Sequence, residues 1–198
     1  GDTGVPHEGP VSLSPDIIVT PTPPADPDAA YGEGSGREDA KDLAGDLIAG
    51  SDQTIFVRAR NRGAVAAHDV VATVYHAEPS TLPMPDTWTR IGRTTIPHIP
   101  ANDVLAVSLP LAWPAVNQPG PGHYCFVATI HAADDPRPPL PAVFGAAAAG
   151  DVSLFLRYIR ENNNVTWRNF NIAQLAPTAT IPDVGEVLAL PFVVPGLP

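Results

Sequence analysis

Prolines recur along nearly the whole chain, 25 of them, and 16 glycines fall between them. Each proline removes a backbone donor and blocks the helical turn before it, so long helical bundles and coiled coils are excluded. Hydrophobic residues still make up 44% of the 198 residues, enough to build a core, so the chain is not a disordered one. A chain of this length buries about 70% of its unfolded surface as one domain, and one core suffices without staples.

From Ser51 onward the pattern has period two, the signature of strands. In Thr54-Ile55-Phe56-Val57-Arg58-Ala59-Arg60, residues Ile55, Val57 and Ala59 share one face. Phe56, Arg58 and Arg60 share the other. Asn61-Arg62-Gly63 follows as a turn. Further strands are predicted at Asp69–His76, Trp88–Ile96, Val104–Leu109, Gly122–Ile130 and Val165–Ile172, and an early one at Asp16–Thr20. Residues 21–27 are too proline-rich for a helix or a central strand. A short helix is predicted over Arg37–Ile48, with Ala40, Leu43, Ala44 and Leu47 on one face, although Gly45 interrupts it. Residues 152–160 fit helix and strand periodicity alike, and Asp151 as a possible N-cap tips the reading to helix. About seven short strands with frequent turns predict an all-β fold, an antiparallel immunoglobulin-like sandwich with at most one or two short helices.

Charge bounds the partners. The net charge of −10 is uneven: residues 1–50 hold ten acids against Arg37 and Lys41, whereas the rest holds eleven acids and nine arginines. The basic footprint of a nucleic-acid binder is missing, and so is any attraction to anionic membranes. No apolar run reaches the 18 residues of a membrane span. Cys125 stands alone, so no disulfide forms within the chain. The opening Gly-Asp-Thr, without an initiator Met, a charged n-region or an apolar h-region, reads as the start of a processed or excised piece.

Candidate chemistry was weighed site by site. Gly32-Glu33-Gly34-Ser35-Gly36 lacks the spacing of a hydrolase elbow and reads as a linker. Phosphate-loop, dinucleotide and His-Glu-x-x-His motifs do not occur. The histidines are scattered; His123 and His131 flank one strand about 25 Å apart, too far to share zinc. Calcium suits the chain better. Asp134, Asp135, Glu161, Asn162 and Asn163 could supply the carboxylate and amide oxygens it takes. Arg58, Arg60 and Arg62 alternate onto one sheet face. They fit an anionic glycan or carboxylate ligand, or the acidic segment 26–46 folded over them. Cys125, mid-strand between Tyr124 and Phe126, reads as buried and inert. Asn164-Val165-Thr166 matches a glycosylation sequon.

The ordered set Ser14-Pro15-Asp16-Ile17, Phe56-Val57-Arg58-Ala59-Arg60-Asn61-Arg62-Gly63, Gly122-His123-Tyr124-Cys125 and Asn162-Asn163-Asn164-Val165-Thr166-Trp167-Arg168-Asn169 resembles the CARDB-type, immunoglobulin-like modules of secreted bacterial and archaeal proteins. The resemblance covers residues 15–20 and about 50–172. It implies a non-catalytic, extracellular adhesion or spacer module with no catalytic residues to carry over. It also gives Tyr124 the tyrosine-corner role of related sandwiches. The expected organisation is a polar lead-in at 1–14 and a sandwich over 15–172 with insertions at 21–49 and 132–150. An extension at 173–198 follows, leading into a next domain or pairing copies of the chain through its apolar run at Val187–Val194. Expected partners are a domain of the same polypeptide or a surface protein or glycan. The alternative reading is a self-associating component of a surface layer or particle.

Overall fold

The computed structural model of the chain describes residues 12, 14–40 and 42–174. Two sheets face each other. One is built on β3 (Gln53–Asn61), which pairs antiparallel with β1 (Ile17–Thr20) on one side. On its other side β3 pairs with β6 (Val104–Val107) along its second half and with β7 (Leu111–Trp113) along its first. Pro110 separates β6 from β7, because a residue without an N–H cannot continue the ladder. At the break the Leu109 N–H turns to the Thr95 carbonyl of the opposite sheet at 2.8 Å, and Thr94 Oγ1 donates to the Leu109 carbonyl at 2.6 Å. The sandwich is thereby joined along that side.

The second sheet has the order β2 (Leu47–Ile48), β9 (Val165–Ala173), β8 (Gly122–His131), β4 (Ala67–Ala77), β5 (Thr89–Ile99). Its ladders are antiparallel except for β2, which runs parallel to β9. Pro97 sits within β5, an edge strand, where a missing donor is tolerated. Between the sheets lie Ile17, Val19, Ile55, Val57, Ala72, Val74, Trp113, Phe126, Ala128, Phe170 and Ile172, all buried. Phe126 of β8 and Phe170 of β9, diagonal neighbours on the ladder, stack with ring centroids 3.7 Å apart. The fold is therefore an all-β, immunoglobulin-like sandwich, as the strand spacing predicted.

Both outer faces are covered as well. Ile18, Phe56 and Val107 point away from the main core, yet they are buried with Tyr31 and Leu43 of the segment 21–49. That segment is a strap across the first sheet. It holds α1 (Pro27–Tyr31), one turn long, started by Pro27 and capped by Asp26, whose carboxylate accepts from the Ala29 N–H at 3.0 Å. The helix predicted over Arg37–Ile48 does not form. Its carbonyls are claimed from outside: Leu43 O accepts from the Val19 N–H, Ala44 O accepts from Arg168, and Leu47–Ile48 becomes β2. Tertiary pairing overrides a propensity that Gly45 had already weakened.

On the other sheet, α2 (Val152–Glu161) lays Phe155 and Ile159 over Cys125, Val127 and Val165, with Trp88 and Phe144 beside them. Asp151 caps it by accepting from the Ser153 and Leu154 N–H groups, so the helix reading of 152–160 holds. The predicted lead-in reaches the body at Ser14, which is buried. The extension expected at 173–198 lies outside the described residues beyond Gln174.

Candidate functional site

The arginine stripe of β3 faces the strap. Arg58 is 2% exposed. Its Nη1 donates to the Tyr31 and Arg37 carbonyls, both at 3.0 Å, and its Nη2 to the Glu38 carbonyl at 2.8 Å. Asp16 lies 3.7 Å from its Nε. Burial pushes the Arg58 pKa down and the Asp16 carboxylate opposes that shift; an arginine stays charged in such a setting. Arg60 Nη1 donates to Glu33 Oε2 at 2.8 Å and to the Asp103 carbonyl at 2.6 Å. Arg62 pairs with Asp103 at the exposed end, at 3.2 Å. Of the stripe expected to suit an anionic ligand, Arg58 is turned inward and Arg62 stays exposed. Arg58 binds the strap through its carbonyls, and Arg60 pairs with Glu33, an acid of residues 26–46.

Arg168 does the same work from β9 and was not singled out in the sequence. Its Nη1 donates to the Ser14 and Ile17 carbonyls at 3.0 and 3.2 Å, and its Nη2 to Ala44 O at 3.1 Å. Burial lowers its pKa too, with Asp42 acting in the opposite direction. A signal was present: Arg168 shares its strand face with Phe170 and Ile172, and a charge on an apolar face is the informative exception.

The calcium candidates Asp134, Asp135, Glu161, Asn162 and Asn163 are only partly brought together. Asp134 and Asp135 are exposed. Asp135 Oδ1 accepts from the Asn164 amide at 3.0 Å, and its carbonyl accepts from the Ala132 N–H. Glu161 is turned to Arg157, 3.7 Å away, and the Asn162 amide donates to the Tyr158 carbonyl. Asn163 is exposed. Among the described residues no three His, Cys, Asp or Glu side chains converge on a metal position. Calcium takes six to eight oxygens; of the five residues, Asp134 and Asp135 present neighbouring exposed carboxylates, whereas Glu161 is turned to Arg157. The sequon residue Asn164 is buried and committed to Asp135.

Cys125 is 1% exposed, its Sγ 3.3 Å from Asn169 Oδ1, and burial pushes its thiol pKa up. Nucleophilic thiols need the opposite environment. Tyr124 Oη donates to the Gly120 carbonyl four residues upstream at 3.0 Å, the geometry of a tyrosine corner.

Recesses mark the surface of the described residues, two of them beside these elements. One, of about 460 Å³, runs along β6 and is lined by Asp28, Glu33, Pro97, His98, Pro100 and the strand itself. Here Glu33 Oε2 accepts from the Leu105 N–H at 3.0 Å and Asp28 Oδ1 from the Val107 N–H at 3.1 Å. The two carboxylates close the outward donors of an edge strand that would otherwise invite pairing. The other recess, of about 350 Å³, is lined by Glu78, Pro79, Ser80, Gly122, His123 and Tyr124. Its histidine is oriented by a polar row across three neighbouring segments. Asp46 accepts from the Asn171 amide at 2.7 Å, and Asn171 Oδ1 lies 2.8 Å from His123 Nδ1. Because the Asn171 nitrogen is engaged with Asp46, its oxygen faces the ring, so Nδ1 carries the proton and donates.

No family model matches the chain, and no curated protein does. Solved structures are similar at the level of fold. The CARDB domain of a Pyrococcus furiosus protein, solved in complex with di-metal ions, is 14% identical. It aligns over 80% of this chain and 86% of its own, with a TM-score of 0.39. A Geobacter metallireducens protein solved in solution is 23% identical over 67% of this chain and 87% of its own, with a TM-score of 0.36. A crustacean hemolymph-type prophenoloxidase is 12% identical over 70% of this chain, with a TM-score of 0.45. That match takes in 27% of the oxidase. The chain's own strand pairing makes it a β-sandwich.

Proposed function

We propose that the chain is a non-catalytic accessory module of CARDB type in an exported prokaryotic protein, secreted or held at the cell surface. It spaces or docks a neighbouring domain of the same polypeptide, or contacts a surface protein or glycan. One observation carries this reading: the buried arginines, the thiol and the sequon asparagine are committed to the scaffold. Arg58 and Arg168 are buried donors to backbone carbonyls, Cys125 lies in the core, and Asn164 holds Asp135. What faces solvent is a pair of shallow recesses on rigid strands, a place for contact more than for turnover.

The test is a protein and glycan array probed with the full chain, beside a panel of ester, glycoside and phosphoester substrates. The reading expects retention by at least one partner class, weakened by Glu78→Ala or His123→Ala, and no turnover. Turnover that disappears on a single substitution would overturn it. Self-association through the segment beyond Gln174 is the remaining branch. It expects a concentration-dependent oligomer in sedimentation that is lost when that segment is trimmed.

A further inference from the structure

Five of the six histidines lie among the described residues, and three of them have defined partners. His76 is half-buried against Trp113 and Tyr124, His123 is bonded to Asn171, and His131 Nδ1 accepts from the Arg137 N–H. His68 and His98 differ. They stand directly opposite each other on the antiparallel pair β4 and β5. Their rings stack with centroids 4.8 Å apart and planes 27° from parallel. Both are exposed, and among the described residues their one recorded partner is each other. The backbone holds them there. Asp69, next to His68, adopts φ 51°, and Pro97, next to His98, has no N–H to give, so the ladder skips that one position between two regular pairs.

From this juxtaposition we infer that His68 and His98 form a surface chelate for a late first-row divalent cation, copper(II) above zinc. Two imidazoles facing across a ladder are spaced so that small side-chain rotations bring one nitrogen of each to the roughly 2.0–2.1 Å of a metal–nitrogen bond. Imidazole is the ligand such ions prefer among the side chains here. The protein supplies two ligands, so the remaining positions hold water or a donor from a bound partner. His98 also lines the groove along β6 with Asp28 and Glu33, which places the cation at the mouth of one of the two contact recesses.

The experiment is calorimetric titration of the full chain with Cu²⁺ and separately with Zn²⁺. One equivalent should bind, copper more tightly than zinc. His68→Ala and His98→Ala should each weaken binding at least about tenfold, and the double substitution should remove it. His7→Ala and His131→Ala should leave the binding of both ions unchanged. Both rings of the pair are exposed, so unchanged melting curves will show that the variants fold. In parallel, Cu²⁺ should broaden the imidazole resonances of His68 and His98 before any others. Wild-type affinity in either single variant overturns the inference, and so does loss of binding that follows another histidine or no binding at all.

Discussion

Replacing Arg58 with Met keeps most of the aliphatic stem and removes the guanidinium, so the change isolates its three bonds to the strap. Hydrogen bonds to a charged group contribute about 1.5–3 kcal/mol each, and buried carbonyls left without donors add a similar cost. The sum is not additive, because a released strap can hydrate its carbonyls. A loss of about 3–5 kcal/mol follows, the range for breaking a buried charge from its partners. For a domain of this size that lowers the melting temperature by roughly 6–20 °C. Arg60 and Arg62 sit on the same face at growing exposure, 29% and 57% for their side chains. Such pairs contribute about 0–1 kcal/mol. The expected order is therefore Arg58 far above Arg60, and Arg60 at or above Arg62. Hydrogen exchange supplies the spatial readout: amides of residues 28–44 should lose protection in Arg58→Met while those of β8 keep theirs. Equal melting temperatures for Arg58→Met and Arg62→Met, or unchanged protection in the strap, would refute the assignment of Arg58 as its anchor.

Further outcomes follow from the same coordinates. Tyr158 donates to the Pro138 and Pro139 carbonyls, and burial raises its pKa to about 12. The folded protein thus favours the neutral phenol. About 2–3 kcal/mol is present below pH 10 and lost between pH 10 and 12, read as one late-titrating tyrosine and as alkaline unfolding. Cys125 should resist alkylation at neutral pH and react once denaturant opens the core. Tyr124→Phe removes the bond to Gly120 and should cost about 0.5–1.5 kcal/mol in chemical denaturation. Calcium should leave the melting temperature unchanged, since Glu161 faces Arg157; a rise abolished by Asp135→Asn would show that the loop rearranges around the ion.

The strands were legible because their alternation is local. Ile55, Val57 and Ala59 occupy one face of β3 whatever the rest of the chain does. The tyrosine corner was expected from the resemblance alone, and the structure supplies its acceptor, the Gly120 carbonyl four positions upstream. β7 was missed because three residues after Pro110 make too short a run to show a period. The helix expected over Arg37–Ile48 failed for a non-local reason: its carbonyls answer to Val19 and Arg168, far away in sequence.

The covering layers, by contrast, were written into the strands they cover. A sheet with one wet face alternates apolar and polar residues. Cys125-Phe126-Val127-Ala128 does not alternate, and neither does Ile17-Ile18-Val19; all seven residues are buried. Such runs demand apolar partners on both sides. Two segments were long enough to supply them: 21–49, with Tyr31 and Leu43, and 132–150 with the following helix, with Phe144, Phe155 and Ile159. Burying a large apolar side chain contributes about 1.5–3 kcal/mol, more than an exposed ion pair, so apolar contact seats the straps and the arginines set where they lie. Long insertions on a sandwich invite a functional reading because loops carry recognition. Here the unbroken apolar runs show that these two serve as walls. The first wall even reaches the β6 edge, where Asp28 and Glu33 accept from the Val107 and Leu105 N–H groups.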